Sequence, residues 1–109
     1  MTEARRLLFV CSQNRLRSPT AEHVFATYPG VETLSAGLNA GADVPLSEEL
    51  LRWADMVFVM EKRHREKLSR EFQQAVGGTR VVCLDIPDIY EYMDPELVAL
   101  LEKRVSPYL

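Results

Sequence analysis

The spacing of apolar positions changes several times along the chain. "RLLFVC" (Arg6 to Cys11) is a short unbroken apolar run, the mark of a buried strand. From Pro19 to Tyr28 the apolar residues Ala21, Val24, Phe25 and Tyr28 recur at helical spacing, and Pro29-Gly30 ends that segment. "VETLSAG" (Val31 to Gly37) reads as a second strand and leads into a Gly-rich loop, "GLNAGADVP". "SEELLRWA" reads as a short helix with Ser47 as its N-cap, and "DMVFVM" (Asp55 to Met60) as a third strand. A polar helix is predicted over Glu61 to Val76, with Leu68, Phe72 and Val76 on one stripe, stopped by Gly77-Gly78. "RVVCLD" (Arg80 to Asp85) is a fourth strand. Asp94-Pro95 look like the N-cap and first residue of a last helix that turns Leu97, Leu100, Leu101 and Val105 inward. Strands alternating with helices predict an α/β domain whose parallel sheet is covered on both faces.

Composition narrows the classes. The chain has 109 residues, so one domain spanning residues 1–109 is expected. Hydrophobic residues make up 47% and charged residues 27%, an ordinary globular balance. A net charge of -3 argues against a nucleic-acid binder. No apolar run approaches the roughly 18 residues of a membrane span. The N-terminal segment lacks the pattern of a signal peptide. Cys11 and Cys83 are too few for a disulfide scaffold or a zinc site, and a cytoplasmic setting is the expectation.

The richest stretch is "FVCSQNRLRSPTAE", from Phe9 to Glu22. In open parallel sheets ligands bind beyond the carboxyl ends of the strands, and Cys11 stands at such an end. Five residues separate it from Arg17-Ser18. A loop curling into a helix N-terminus aims several peptide N–H groups at one point, which favours a dianion and a thiolate alike. Arg17 offers a planar fork for two phosphoryl oxygens. Ser18 can N-cap the helix and turn its hydroxyl toward the thiolate, with Pro19 at the first helical position.

Cys11, Asn14, Arg17, Ser18, Pro19, Ala21 and Glu22 together resemble the loop and helix start of the low-molecular-weight protein tyrosine phosphatase family. "SAG" (Ser35 to Gly37) and "ADMVFVMEKRHREKL" (Ala54 to Leu68) are similar to later parts of that family, so the resemblance covers most of the chain. A three-layer sandwich with a four-stranded parallel sheet, order 2-1-3-4, is the expected architecture. The resemblance implies a cysteine-dependent phosphomonoesterase acting through a cysteinyl phosphate, with no metal or other cofactor. Its substrate would be a phosphorylated protein or a small aryl phosphate. Cys11 would attack phosphorus. Arg17 and the loop residues Ser12, Gln13, Asn14, Arg15, Leu16 and Ser18 would hold the phosphoryl oxygens, and Ser35 would hydrogen-bond the loop.

The resemblance also implies an aspartic acid that protonates the leaving oxygen. In "IPDIYEY" the best match is Asp88, with Asp85 the alternative; Asp94 reads as a helix cap. Three departures from the family pattern stand out. Gln13 replaces a glycine, Leu16 replaces a second cysteine, and the loop after Gly37 is short where relatives carry an aromatic wall. A more open cleft, or one completed by another subunit, follows from the last. His23 and His64 read as surface residues and "EKRHREK" as a solvated helix face, able as a basic patch to attract anions. Trp53 reads as core, Cys83 as a small hydrophobe, and Tyr90 and Tyr92 as packing residues. Two other functions compete. One is a module that captures phosphate or phosphoprotein without turnover. The other is an arsenate reductase, whose relay would need further cysteines.

Overall fold

The computed structural model describes residues 4–109. Four strands, β1 (Arg5–Cys11), β2 (Val31–Gly37), β3 (Met56–Val59) and β4 (Arg80–Cys83), form one sheet in the order β2-β1-β3-β4. Every neighbouring pair is parallel. Five helices accompany them: α1 (Arg17–Phe25), α2 (Glu48–Trp53), α3 (Lys62–Glu71), α4 (Gln73–Val76) and α5 (Pro95–Val105). A 3-10 turn, Ser106–Tyr108, follows α5.

The alternation of side chains along β1 divides the core in two. Leu7, Phe9 and Cys11 join Phe58 beneath Ala21 and Phe25 of α1 and Leu97, Leu101 and Val105 of α5. Leu8 and Val10 join Val57 and Val59 on the other face, under Leu51 of α2 and Leu68 of α3. The result is the expected three-layer sandwich, with β1 sandwiched between strands as well as between helices. That explains the unbroken apolar run from Leu7 to Cys11, where neither face of β1 meets water.

Two predicted helices change shape. The polar helix after β3 breaks at Phe72, whose φ of -130° leaves the helical region. The break lets Phe72, Ala75 and Val76 fold onto the layer already holding Leu68. Helix α1 starts at Arg17, with Leu16 rather than Ser18 at its N-cap and no side chain capping it. Ser18 lies inside the first turn because its hydroxyl is engaged elsewhere. By contrast, Ser47 caps α2 by accepting the Leu50 N–H at 3.2 Å. Asp94 caps α5 by accepting the Glu96 N–H at 2.9 Å.

The short segment after β2 does not rise away from the sheet. Its Leu38, Asn39 and Asp43 N–H groups donate to the carbonyls of Cys11, Ser12 and Gln13 at 2.9, 3.0 and 3.0 Å. Gly37 exchanges hydrogen bonds with Val44 and Leu46, both at 2.8 Å. The chain therefore doubles back against the β1–α1 loop like an extra rung of sheet. This close approach requires a glycine. A Cβ on Gly37 would lie 2.5 Å from the Ala42 Cβ and 2.7 Å from the Ser12 carbonyl oxygen. Gly37→Ala is expected to lower stability by about 1–3 kcal/mol, read as a lower urea midpoint, because the loop backbone must shift to admit a methyl.

Candidate active site

Cys11 is the last residue of β1, 4% exposed. It lines a cavity of about 110 Å³ with Ser12, Gln13, Arg15, Leu16, Arg17 and Asp88. A larger hollow of about 860 Å³ runs along Arg65, Arg70 and Gly77, and no residue of the Cys11 loop lines it.

The loop owes its shape to hydrogen bonds on its outer side. In a trans peptide the N–H points opposite to the C=O. With the Ser12 and Gln13 carbonyls drawn outward, the N–H groups of Gln13 and Asn14 turn inward. The Asn14 N–H accordingly reaches the Cys11 sulfur at 3.3 Å. The left-handed residue of the loop is Asn14, at φ 57°, and not Gln13. Glutamine in place of glycine thus carries no backbone penalty here, and asparagine is a residue that tolerates the left-handed region.

Asn14 also ties the loop together. Its Nδ2 donates to Ser18 Oγ and to Ser35 Oγ, each at 2.9 Å. The Ser35 hydroxyl in turn donates to the Glu22 carboxylate. Since Ser18 accepts from Asn14, its hydroxyl hydrogen is free to donate to the Cys11 sulfur at 3.0 Å. The Ala36 carbonyl, at 3.4 Å, is its alternative acceptor. Asn14, Ser18 and Ser35 are all buried.

Arg17 is 2% exposed and held from one end. Its Nη1 donates to Glu61 Oε2 and to the Ile86 carbonyl, both at 2.7 Å. Arg17 also lines the cavity, and its Nε lies 3.7 Å from Asp88 Oδ1. Its planar fork is one a phosphoryl group can share.

Two residues beyond those expected from the sequence complete the frame. Glu61 accepts from Arg63 at 3.1 Å as well as from Arg17. The hydrogen bond from Arg63, followed by that from Arg17, outweighs partial burial and holds its carboxyl down at about 2. His64 is buried rather than on the surface, 2% exposed. Its position at the third residue of α3 turns the ring back onto the strand ends. The Glu61 N–H donates to its Nδ1 at 3.1 Å. The proton of the neutral ring must then sit on Nε2, which donates to Ser12 Oγ at 2.9 Å. Burial, aided by the charges of Arg17 and Arg63, pushes His64 down to about 4. The readable trace of this arrangement is a Glu and a His three positions apart at a strand-to-helix junction, the spacing of a capping box.

The remaining expected residues sort themselves. Arg15 leans outward to Asp43 at 3.3 Å. Asp85 takes a left-handed φ of 54° and lines a separate hollow beside Lys62 and Arg63, away from Cys11. Arg104 of α5 secures that turn by donating to the Leu84 and Asp85 carbonyls. Cys83 packs on the opposite face of the sheet from Cys11, and both thiols are free. Tyr90 packs under the α1 and α5 layer, whereas Tyr92 is exposed and not a packing residue. Among the described residues no aromatic side chain lines the Cys11 cavity, and none of residues 38–46 reaches it. Among the described residues no group of three His, Cys, Asp or Glu could hold a metal ion.

His64 and Glu61 give stability a definite pH dependence. His64 falls from 6.5 unfolded to about 4 folded, so stability is complete above about pH 6.5 and drains as pH drops toward 4. Glu61 adds a further loss as pH passes from 4.5 toward 2. Urea unfolding between pH 7 and pH 4.5 should show a loss of a few kcal/mol in the native chain. His64→Gln should flatten that limb.

No family model matches the chain. The low-molecular-weight protein-tyrosine-phosphatase Wzb of Escherichia coli K12 is 32% identical, with 77% of each chain covered. The crystal structure of Wzb from Escherichia coli K30 in complex with phosphate is similar in fold, with a TM-score of 0.78 at 24% identity over 96% of each chain. The YwlE arginine phosphatase from Geobacillus stearothermophilus superposes with a TM-score of 0.74 at 24% identity, covering 95% of this chain and 92% of that one. With the four-stranded order, the buried thiol and the K12 relative in agreement, the chain belongs to the low-molecular-weight protein-tyrosine-phosphatase family.

Proposed function

We propose that this chain hydrolyses phosphate monoesters of a phosphorylated protein or a small aryl phosphate through a covalent cysteinyl phosphate, with Cys11, Arg17 and Asp88 as its catalytic residues. The observation that carries this reading is their convergence on one small cavity. Phosphotyrosine is the substrate favoured by the name of the K12 relative.

The dianion enters the loop. Inward N–H groups and Arg17 take the three non-bridging oxygens, displacing Asp88 from its guanidinium partner. Cys11 Sγ, steadied by Ser18 and the Asn14 N–H, attacks phosphorus in line with the leaving oxygen. As the S–P bond forms the P–O bond breaks, and Asp88, released from Arg17 and carrying a proton taken up from solvent, gives that proton to the departing alkoxide or phenoxide. Water then attacks the cysteinyl phosphate while Asp88 takes its proton. The S–P bond breaks, and inorganic phosphate leaves. Glu61 keeps Arg17 oriented through both steps, and the loop donors hold charge as it spreads over the equatorial oxygens.

Asp88 is preferred over Asp85 because only Asp88 lines the cavity with Cys11. A reductase relay through Cys83 is disfavoured by the sheet standing between the two sulfurs. Among the described residues no helix is long and apolar enough to cross a membrane. Two unpaired thiols favour a reducing compartment such as the cytoplasm.

The native chain should hydrolyse p-nitrophenyl phosphate in the presence of a chelator, and Cys11→Ser should abolish turnover. Asp88→Asn should cut kcat by about 10²–10³ on phenyl phosphate, whose leaving group needs a proton, and by less on p-nitrophenyl phosphate. Tight vanadate binding without turnover of either ester would establish the capture module instead.

A further inference from the structure

A second cavity lies on the other side of Ser12 from the first. It measures about 240 Å³, and Ser12 lines both. Its far wall is α3, which contributes Arg63, Lys67 and Arg70. These positions stand at i, i+4 and i+7 and so form one stripe, about 10 Å long at 1.5 Å per residue. Glu66 is the single acidic residue in the wall. The stripe is fastened to the catalytic loop: Lys67 Nζ donates to Asn39 Oδ1 at 3.1 Å, and the Asn39 N–H donates to the Ser12 carbonyl. Arg63 is steadied by Glu61, and Lys67 lies 3.9 Å from Glu71. Arg70 makes no ion pair among the described residues, and both it and Arg63 are exposed. A chain with a net charge of -3 thus gathers cations beside its phosphate pocket while the other rim carries Asp88.

We propose that this groove is a second anion subsite, which takes carboxylate side chains of the phosphorylated protein a few residues from the phosphate. The proposal deepens the phosphomonoesterase reading and rests on it. An extended peptide advances about 3.4 Å per residue, so with its phosphate in the Cys11 loop, acidic residues two to four positions on pass along the stripe. The groove takes over the recognition that the mouth lacks. Without an aromatic wall the cavity holds the phosphate and little else of the substrate. The cations are solvated, so their attraction acts mainly on encounter and weakens with salt.

The test compares two phosphotyrosine peptides that differ only in flanking residues, Glu and Asp in one, Gln and Asn in the other. The native chain should favour the acidic peptide in kcat/KM by about tenfold at 50 mM salt, with the preference largely gone at 500 mM. Lys67→Glu/Arg70→Glu should erase or invert that ratio. Equal kcat/KM for the two peptides in the native chain, or a ratio untouched by the charge reversal, would overturn the subsite. Should neither peptide nor p-nitrophenyl phosphate be turned over, the phosphomonoesterase reading fails separately. Fluorescence anisotropy of the same peptides on Cys11→Ser, with and without the charge reversal, then still reads the subsite: tighter binding of the acidic peptide, lost on reversal, sustains it, and equal binding ends it.

Discussion

The site depends on carbonyl oxygens that never face it. Peptide N–H groups of a tight loop converge on one point only if the attached C=O groups are satisfied on the far side. Here the segment from Leu38 to Asp43 accepts that task, taking the carbonyls of Cys11, Ser12 and Gln13 one after another. Gly37 permits the approach, and Asn14 absorbs the left-handed turn that completes the loop. A stretch that in sequence looked like a shortened remnant of a cleft wall is thus the outer brace of the anion cradle.

A second brace comes from the first turn of α3. Glu61 holds the arginine at the end of the loop, and His64 holds the serine at its beginning. The two are linked to each other through the Glu61 N–H. Both ends of the loop are therefore referenced to the same rigid helix start, which hangs from the end of β3. A buried arginine is costly unless matched by an opposite charge and full hydrogen bonding. Glu61 and the Ile86 carbonyl supply this at Nη1, with Asp88 beside Nε.

Much of the fold was legible because each element announced itself locally. The unbroken apolar run of β1 gave away its burial on both faces, and Ser47 and Asp94 marked helix starts that the structure keeps. What was hidden depends on contacts distant in sequence. The turn of the Ser18 hydroxyl toward Cys11 was readable, but nothing local shows that Asn14 donates to it or that it caps no helix N–H. His64, set among charged neighbours, looks solvated until β3 and the loop are placed beside it. The break at Phe72 likewise answers to the apolar layer beneath it and to no breaker residue. In the loop itself the spacing from Cys11 to Arg17 was plain, but that Asp88 and not Asp85 lines the Cys11 cavity needed the turn in space.

The separation of the two sulfurs bears on oxidative damage. Leu16 fills the place beside Arg17, and Cys83 lies across the sheet, so a sulfenic acid formed on Cys11 has no second thiol at hand to close a disulfide. Rescue must come from outside, as a mixed disulfide with a small thiol able to reach the loop. Failing that, the sulfur advances to the sulfinic state, and the loss is permanent.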